Sequence, residues 1–407
     1  MKDLEKEIQG IVLALRSEKK EHLAKIIEEN WDKTLLEYSK NLHSYRTNQP
    51  LEDIFKKALS IELTRLGYDK KEVGSILKYA EKNRTLQTAS HMSPGGKPRF
   101  FFINWLDSLS LSQKDFFLVA MFSGVPFSNK TRPGRLCKKD GDINLIPSSM
   151  QDELVYRSKI TPKMVEVINN LPAKLKTLLP EAKERDSYTA WALKSSQSIE
   201  SKFLHGKPVF FDFNEVASNY LLFAIENPKH SLSKIFFSKP ERILTIKNFK
   251  EMVFFYGPVK KGKYKEMENF FLKDGYLESP SRKIQLTPKI LAEELKNGLC
   301  PGLIVGFLIF SFLNHFQCSG SFAQVEYLPL YREKFATFPF LKKNKIKEAS
   351  AESLTTGGFP FDVGLHPLDI HLGEKFTPDP NALFGEAMLA IKDVLLHQNY
   401  SMNLVRK

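Results

Sequence analysis

The segments 84–106, RTLQTASHMSPGGKPRFFFINWL, and 115–122, DFFLVAMF, decide the fold of this chain. The first runs from a short β-capable stretch through a turn rich in Gly and Pro into an apolar stretch with helical character. The second is an apolar, Phe-rich run that is typical of a buried strand. A strand, a glycine turn, a helix and a buried strand form a βαβ unit, and this connection implies a parallel sheet. We therefore predict an α/β fold with a Rossmann-like parallel sheet as a core over residues 84–340.

Helical periodicity dominates the chain before this core. Apolar residues recur at helical spacing from residue 1 to about residue 46, where no Pro and no Gly follows Gly10. A second helical block continues to residue 82, with a break near Gly67. We therefore predict an N-terminal helical region over residues 1–83.

Apolar runs in the second half of the chain indicate further core elements. Residues 235–237 and 252–256 are rich in Phe, and we predict a strand in each. The run GLIVGFLIFSFLNHF over 302–316 is shorter than the roughly 20 residues that a membrane span needs, so we interpret it as a buried core element. Residues 341–407 are expected to pack on the core as a C-terminal segment.

The composition favours a folded protein of a reducing compartment. Of the 407 residues, 42% are hydrophobic and 12% are aromatic, which excludes a disordered chain. Cys137, Cys300 and Cys318 form no CxxC pair, so neither a zinc knuckle nor a disulfide framework is indicated. Because no signal peptide is visible, we expect a cytoplasmic protein.

The charge of the chain is basic, with 60 Lys and Arg against 47 Asp and Glu, which gives a formal charge of +13. A nucleic-acid interface would need a dense basic stripe, whereas here the lysines are spread along the chain and acids interrupt the local clusters. An anionic small molecule, such as a phosphate or a carboxylate, fits the charge equally well. We therefore expect an anionic small-molecule partner, neither nucleic acid nor membrane, and leave a homo-oligomer open.

The first candidate site is the turn over residues 90–99. Backbone N–H groups at the start of the following helix would point outward there, and the helix dipole favours negative charge. The spacing matches neither the Walker A pattern nor GxGxxG, and a solvated surface turn is the alternative. The predicted catalytic residues are His91, Lys97 and Arg99, which would supply positive charge, and the predicted substrate contacts are Ser90, Gly95 and Gly96.

Two further loops should reach the same edge of the sheet, where ligands bind in open α/β folds. Loop 123–135, SGVPFSNKTRPGR, follows the buried strand, and loop 318–327, CSGSFAQVEY, follows the most apolar run of the chain. Ordinary solvent-exposed turns are the alternative for both. The predicted substrate contacts in these loops are Ser128, Asn129, Arg132, Ser321, Gln324, Glu326 and Tyr327, and the Arg132 guanidinium suits a carboxylate or phosphate.

A fourth candidate is the pattern HxxDxH formed by His366, Asp369 and His371. Two imidazoles and a carboxylate suit a divalent metal, but the spacing reproduces no known metal site. We therefore predict no metal and keep these residues only as weak metal candidates. Asp369 is also a candidate for substrate contact, and a hydrogen-bonded loop is the alternative.

Two blocks of the sequence together resemble the bacillithiol-synthesis cysteine-adding ligases. The first is TASHMSPGGKPR over 88–99, and the second combines LTPK over 286–289 with LCP over 299–301 and GSFAQVEY over 320–327. The resemblance implies a HUP-type parallel sheet, as in nucleotidylyl transferases and class I aminoacyl-tRNA synthetases. It also implies a condensing or adenylate-type reaction, for which ATP or another nucleotide is the open cofactor.

These features together predict a small-molecule biosynthetic enzyme. We expect a ligase or condensing enzyme, or a related nucleotidyl transferase, that joins an amine-bearing, amino acid-like compound to a carboxylate or sugar acid. One alternative is a non-catalytic ligand-binding protein on a degenerate nucleotide-binding fold, because Ser90-His91 and Gln324 stand where the ligases have a Gln-Gln pair and an acid. An RNA-contacting protein is another alternative.

Overall fold

The computed structural model describes residues 2–262, 264–346, 349, 351–359 and 365–397. The helices are α1 (Lys2–Ser17), α2 (Glu21–Asn30), α3 (Leu35–Leu42), α4 (Asp53–Arg65), α5 (Lys70–Lys82), α6 (Pro98–Ser108), α7 (Pro162–Asn169), α8 (Ala173–Lys176), α9 (Tyr188–Glu200), α10 (Phe213–Glu226), α11 (Ser231–Phe237), α12 (Lys239–Asn248), α13 (Pro288–Lys296), α14 (Leu303–Phe307), α15 (Phe322–Ala336), α16 (Ala351–Leu354), α17 (Pro367–Leu372), α18 (Phe384–Ala390) and α19 (Lys392–His397). The strands are β1 (Thr85–Gln87), β2 (Phe116–Met121), β3 (Arg135–Leu136), β4 (Ile143–Asn144), β5 (Lys207–Asp212), β6 (Val253–Lys261), β7 (Tyr264–Lys273), β8 (Tyr276–Glu278), β9 (Lys283–Gln285), β10 (Cys300–Pro301), β11 (Gln317–Gly320) and β12 (Thr355–Gly357).

Within the described residues, five strands form a sheet in the order β12-β11-β1-β2-β5, and every neighbouring pair is parallel. Numbered along the chain and read from the β5 edge, this is the order 3-2-1-4-5 of a doubly wound sheet. The order changes direction between β1 and β11, which makes that position the switch point of the sheet. The predicted α/β fold with a parallel sheet is confirmed, and the strand order is consistent with a Rossmann-like core.

Strands β1 and β2 lie in the segments 84–106 and 115–122. The predicted buried strand is β2, which pairs with β5 from Phe116–Lys207 to Met121–Asp212. The strand predicted to begin at residue 85 is shorter than expected. It ends at Gln87 because the side-chain carbonyl of Gln87 accepts hydrogen bonds from the backbone N–H groups of Ala89 (2.8 Å) and Ser90 (3.2 Å).

A second, antiparallel sheet has the order β10-β6-β7-β8-β9. The strand predicted at 252–256 is confirmed as the start of β6. The strand predicted at 235–237 is wrong, because these residues belong to α11, whose N-cap His230 accepts a hydrogen bond from the Leu232 N–H at 3.2 Å. An apolar run of three residues has no periodicity that separates a helix from a strand, and the local capping interaction favours the helix.

The helical region over residues 2–82 consists of separate short helices. The helical stretch expected over the first 46 residues is divided into three helices, first at Lys19, whose φ is 62°, and again before α3. Thr34 and Glu37 form a capping box there, since each side chain accepts a hydrogen bond from the other residue's backbone N–H. The break near Gly67 is confirmed, with a φ of 93°.

One hydrophobic core runs through all three predicted regions. It extends from Ile8 in α1 through both sheets to Leu395 in α19. The apolar run over 302–316 lies inside this core as α14 and the π-helical turn Leu308–Leu313, which confirms the interpretation of a buried element. Among the described helices, none combines the length and the apolar character of a bilayer span.

Candidate functional site

The candidate site lies at the carboxyl edge of the parallel sheet. Because the strands run in one direction, the loops that follow β1, β2 and β11 all leave from this edge. Backbone hydrogen bonds join the first two loops, from the Met92 N–H to the Phe122 carbonyl (3.1 Å) and from the Phe122 N–H to the Ser90 carbonyl (2.9 Å). The Thr88 N–H donates to the Ser319 carbonyl at 2.8 Å, which joins the first loop to β11.

The glycine turn before α6 has the backbone that the sequence suggests. Gly95 and Gly96 have φ values of 72° and 49°, a region that glycine enters without steric cost. Lys97 is the N-cap of α6, and its side chain makes no capping hydrogen bond with a described residue. In the first turn of α6, Pro98 has no N–H, and the Phe100 and Phe101 N–H groups donate to the Lys97 carbonyl at 3.0 and 3.2 Å. The Arg99 N–H is therefore the group of this turn that is left for an anion.

Positive charge gathers beside this turn. The ammonium of Lys97 donates to the Lys130 carbonyl, and the Ser93 hydroxyl donates to the Arg132 carbonyl at 3.2 Å. Burial, followed by the charge of Arg132, lowers the pKa of Lys97. Lys97, Arg99 and Lys130 form no ion pair with any residue that the structure describes.

One carboxylate, that of Asp142, lies beside both arginines of this region. Arg132 pairs with Asp142, and Arg135 lies 3.8 Å from the same carboxylate. Arg132 adopts a left-handed backbone with a φ of 59°, a conformation that non-glycine residues rarely enter and that often marks functional sites. The two arginines and their single acid leave the region with net positive charge.

A pocket of about 180 Å³ opens among these groups. Its lining includes Ser128, Asn129 and Arg132, so the structure brings the three predicted contacts of the second loop together. It also includes Lys130 and Arg135, which sequence reasoning missed although both belong to the same basic string NKTRPGR. We call this cavity and the adjacent Lys97 the basic pocket. Its size and donors suit a carboxylate or a phosphate group.

His91 lies under the turn and is not a cation. Its ring stacks on Phe100 (centroids 5.7 Å apart) and meets Phe122 edge-on at the same distance. Burial, with a smaller effect of the Arg99 charge, lowers the pKa of His91 to about 4, so the imidazole is neutral at pH 7. The expectation that His91 supplies positive charge is therefore not met. Its Nδ1 is buried and has no hydrogen-bond partner among the described residues.

Ser90 belongs to a buried polar network rather than to an open surface. Its hydroxyl accepts a hydrogen bond from the Gln87 amide at 2.8 Å, and the same amide donates to Asn104. Asn104 in turn donates to Glu200 at 2.7 Å. The network therefore holds the end of β1, the middle of α6 and the end of α9 in one arrangement.

Glu200 is the acid that sequence reasoning missed. Its side chain lies directly beneath the glycine turn, where a Cβ on Gly96 would come within 3.2 Å of its Oε1. Only 2% of Glu200 is exposed, and burial raises its pKa to about 7. Nothing in the string SSQSIES around Glu200 marks it, because its importance comes from contacts with residues about 100 positions earlier in the chain.

The third loop contributes less than expected. Gln324 is buried and donates to the Thr88 hydroxyl at 2.8 Å and to the Cys318 carbonyl at 3.2 Å, so it fixes the first loop against β11. Ser321 is half-buried at the N-cap of α15, beside the switch point of the sheet.

Glu326 and Tyr327 are occupied elsewhere. The Glu326 carboxylate accepts a hydrogen bond from the Leu23 N–H in the first turn of α2 at 2.8 Å, and burial raises its pKa to about 7. The Tyr327 ring packs against Phe307 and Tyr331, with centroids 5.8 and 5.2 Å apart. We therefore assign both residues to the packing of α15 and not to the basic pocket, which corrects the sequence-based expectation.

The HxxDxH pattern lies on helix α17 and its N-cap, next to the site. Asp369 accepts a hydrogen bond from the Lys139 N–H at 2.9 Å, and Nε2 of His371 lies 2.8 Å from the Ile199 carbonyl. His366 is the N-cap of α17. Among the described residues, no group of three or more His, Cys, Asp or Glu side chains is arranged to hold a metal ion. Asp369 therefore acts here as a hydrogen-bond acceptor for the loop that carries Lys139.

Comparisons of this chain with protein-family models, with curated proteins and with solved structures find no match. The resemblance to the cysteine-adding ligases therefore stays an expectation. Because a fold by itself does not determine an activity, the residues of the site are the evidence for function.

Proposed function

We propose that this chain is a small-molecule biosynthetic enzyme that holds the acid group of one substrate in the basic pocket and joins it to an amine-bearing compound. The observation that carries the proposal is the net positive charge around Lys97, Arg132 and Arg135 at the carboxyl edge of a parallel sheet. This edge is where ligands bind in open α/β folds. The pocket's small volume favours a single carboxylate or phosphate group over an extended polyanion.

The proposed reaction activates the carboxylate and then forms an amide. A phosphoryl or adenylyl group passes from ATP or another nucleotide to the carboxylate, releasing the diphosphate or pyrophosphate. The amine then attacks the acyl carbon, the C–N bond forms, and phosphate or AMP leaves with one proton. Lys97 and Arg132 would stabilise the negative charge on the transferred group, and preorganised donors of this kind contribute up to about 3 kcal/mol each.

The HUP type of the sheet and the nucleotide site belong to the same proposal. The strand order 3-2-1-4-5 supports both, since its switch point lies between β1 and β11. The groups that flank this position are the Thr88 and Ser321 side chains at the ends of the two strands. A cytoplasmic location is part of the proposal too, and the three free, buried cysteines support it.

A non-catalytic ligand-binding protein is the second candidate. Two observations favour it: His91 is neutral and enclosed by aromatic rings, and the Glu326 carboxylate is committed to the backbone of α2. Neither group is then available for charge stabilisation or proton transfer at the basic pocket. Such a protein would bind the anion and release it unchanged.

One experiment separates the two candidates. The full chain is incubated with ATP, pooled amino acids and pooled carboxylic and sugar acids, and mass spectrometry follows both nucleotide cleavage and new amides. We expect a product whose mass equals the two substrates minus water. Saturable anion binding without nucleotide cleavage or product would favour the binding protein, and the absence of both would overturn the assignment of the pocket.

Matched variants connect the result to the basic pocket. Lys97→Met and Arg132→Met should each remove activity and weaken anion binding while the protein stays folded. Lys229→Met removes the same charge at an exposed position and should change neither. Activity that survives both pocket variants would show that the reaction takes place elsewhere.

A further inference from the structure

A second cavity of about 580 Å³ lies between α6, the start of α3 and the segment 373–383 that connects α17 to α18. We call this segment the strap. The volume falls within the range of roughly 300–1,000 Å³ that is typical of small-molecule sites. The cavity is distinct from the basic pocket, since no residue lines both.

Backbone hydrogen bonds fix the strap at its ends, and the Phe376 side chain fixes it in the middle. The Glu374 N–H donates to the Asp369 carbonyl at 3.0 Å, and the carbonyls of Pro380 and Ala382 accept from the first N–H groups of α3 at 2.9 and 3.0 Å. Between these points, the N–H groups of residues 375–377 donate to no described backbone group. The side chains and not the backbone therefore determine how the middle of the strap lies over the cavity.

Aromatic rings form the apolar wall. Phe376 from the strap lies against Phe102 and Trp105 of α6, with ring centroids 5.8 and 6.1 Å apart, and against Phe101 at 5.1 Å. Leu35 extends the wall from α3. A ring or a branched aliphatic group would find van der Waals partners on several sides here.

The rim carries both signs of charge in equal number. Its cations are Lys139 and Lys375, and its acids are Glu374 and Asp379. Lys139 pairs with Glu374 at 3.5 Å, whereas Lys375 forms no ion pair with a described residue. A ligand that carries only one charge would attract the rim groups of opposite sign and leave the rim groups of its own sign without a partner in the ligand. An ammonium would gain further attraction from the aromatic faces.

We propose that this cavity binds a small zwitterion with an apolar body, which is the chemistry of a large hydrophobic α-amino acid. Lys375 would face the carboxylate, an acid of the rim would face the ammonium, and the aromatic wall would hold the side chain. The assignment of the cavity to the amine-bearing substrate rests on the proposed function. The assignment of the cavity as a binding site for such a zwitterion does not.

The cavity borders the elements that form the basic pocket. The N–H of Lys139, a residue of the cavity rim, donates to Asp369, and the adjacent Leu368 side chain lies 3.5 Å from where a Cβ on Gly95 would be. α17 thus contacts both the glycine turn and the loop that carries Lys139.

Three probes with the same ring test the charge argument. L-phenylalanine has both charges, 3-phenylpropionate lacks the ammonium, and phenethylamine lacks the carboxylate. Binding is measured by calorimetry and by the Trp fluorescence of the full chain, because Trp105 lines the cavity. We expect L-phenylalanine to bind about fivefold more tightly than either analogue, which is the effect of one partly exposed ion pair. Equal affinity for all three probes would overturn the proposal.

Variants locate the binding. Lys375→Met should weaken L-phenylalanine and 3-phenylpropionate about fivefold and leave phenethylamine unchanged, whereas Lys229→Met should change none of them. Ala382→Phe and Thr377→Trp each add a ring at a residue that lines the cavity, and each should abolish binding of L-phenylalanine. Two filling variants are used so that a folding defect in one leaves the other decisive.

Failure of this proposal and failure of the proposed function give different results. L-phenylalanine binding that survives both filling variants overturns the cavity assignment, and anion binding that depends on Lys97 and Arg132 would still stand. Conversely, if the wild-type chain binds L-phenylalanine but binds no anion, the proposed function alone is overturned.

Discussion

Replacing Glu200 with glutamine should flatten the pH dependence of stability between about pH 5 and pH 8. The buried Glu200 carboxyl holds its proton up to about pH 7 in the folded protein, against an ordinary value of 4.5. Between these two values the folded chain binds a proton that the unfolded chain has lost. The free energy of unfolding must therefore fall as the pH rises through this window.

The magnitude follows from the two pKa values. Each pH unit between 4.5 and about 7 is worth about 1.4 kcal/mol, so ionising Glu200 costs about 3 kcal/mol in all. Glutamine stays neutral, and its carbonyl can still accept the hydrogen bond that Asn104 donates at 2.7 Å. Glu200→Gln should therefore gain about 3 kcal/mol relative to wild type at pH 8 and little at pH 5.

Urea unfolding of both proteins at a series of pH values measures this difference. Glu226→Gln, at an exposed position, is the matched control and should follow the wild-type curve. Other buried acids contribute to the absolute slope of every protein, so the informative quantity is the difference between the curves. Parallel curves for wild type and Glu200→Gln would refute the idea that a buried, proton-holding carboxyl supports the glycine turn.

The remaining predictions concern His91, one packed glycine and the acid of the basic pocket. Burial lowers the His91 pKa from 6.5 to about 4, so the free energy of unfolding of wild type should fall by about 3 kcal/mol as the pH falls through that window. His91→Asn should not show this loss, and urea unfolding at pH 4 and pH 7 measures the difference. Gly306→Ala should lower the free energy of unfolding by roughly 1–3 kcal/mol, because a Cβ there would overlap the Phe213 ring. Gly10→Ala in α1 has open space around the new Cβ and should raise the free energy of unfolding by about 0.5–1 kcal/mol in the same assay. Asp142→Asn should release two arginines and tighten the binding of inorganic phosphate several-fold in calorimetry; unchanged affinity would exclude these arginines from the anion site.

Local signals in the sequence were sufficient for the centre of the fold. The residue types of the glycine turn at 95–96 and of the apolar run at 115–122 are sufficient to indicate their conformations. A strand, a helix and a buried strand were predicted there, and the structure has β1, α6 and β2. The run at 235–237 carries no such signal, and it is helical because His230 is the N-cap of the helix that contains it. Periodicity also showed helices in the first 46 residues without showing that they are three.

The site was harder to predict than the fold, because it depends on contacts between distant parts of the chain. The sequence placed Lys97 and Arg132 on neighbouring loops because a parallel sheet brings the loops after its strands to one edge, and the structure joins these loops through the contacts of Lys97 with Lys130 and of Ser93 with Arg132. The neutral state of His91 depends on its burial between Phe100 and Phe122, which the order of residues does not reveal. Glu326 was placed at the site because its loop follows the most apolar run of the chain, whereas in the structure its carboxylate accepts a hydrogen bond from α2.

Hydrogen–deuterium exchange of the full chain, with and without inorganic phosphate, is the most direct test that the carboxyl edge binds an anion. The account predicts slower exchange in the glycine turn over 93–97, in the first turn of α6 and in the loop over 128–135. Binding of phosphate that slows exchange only in other segments, or no binding at all, would contradict it.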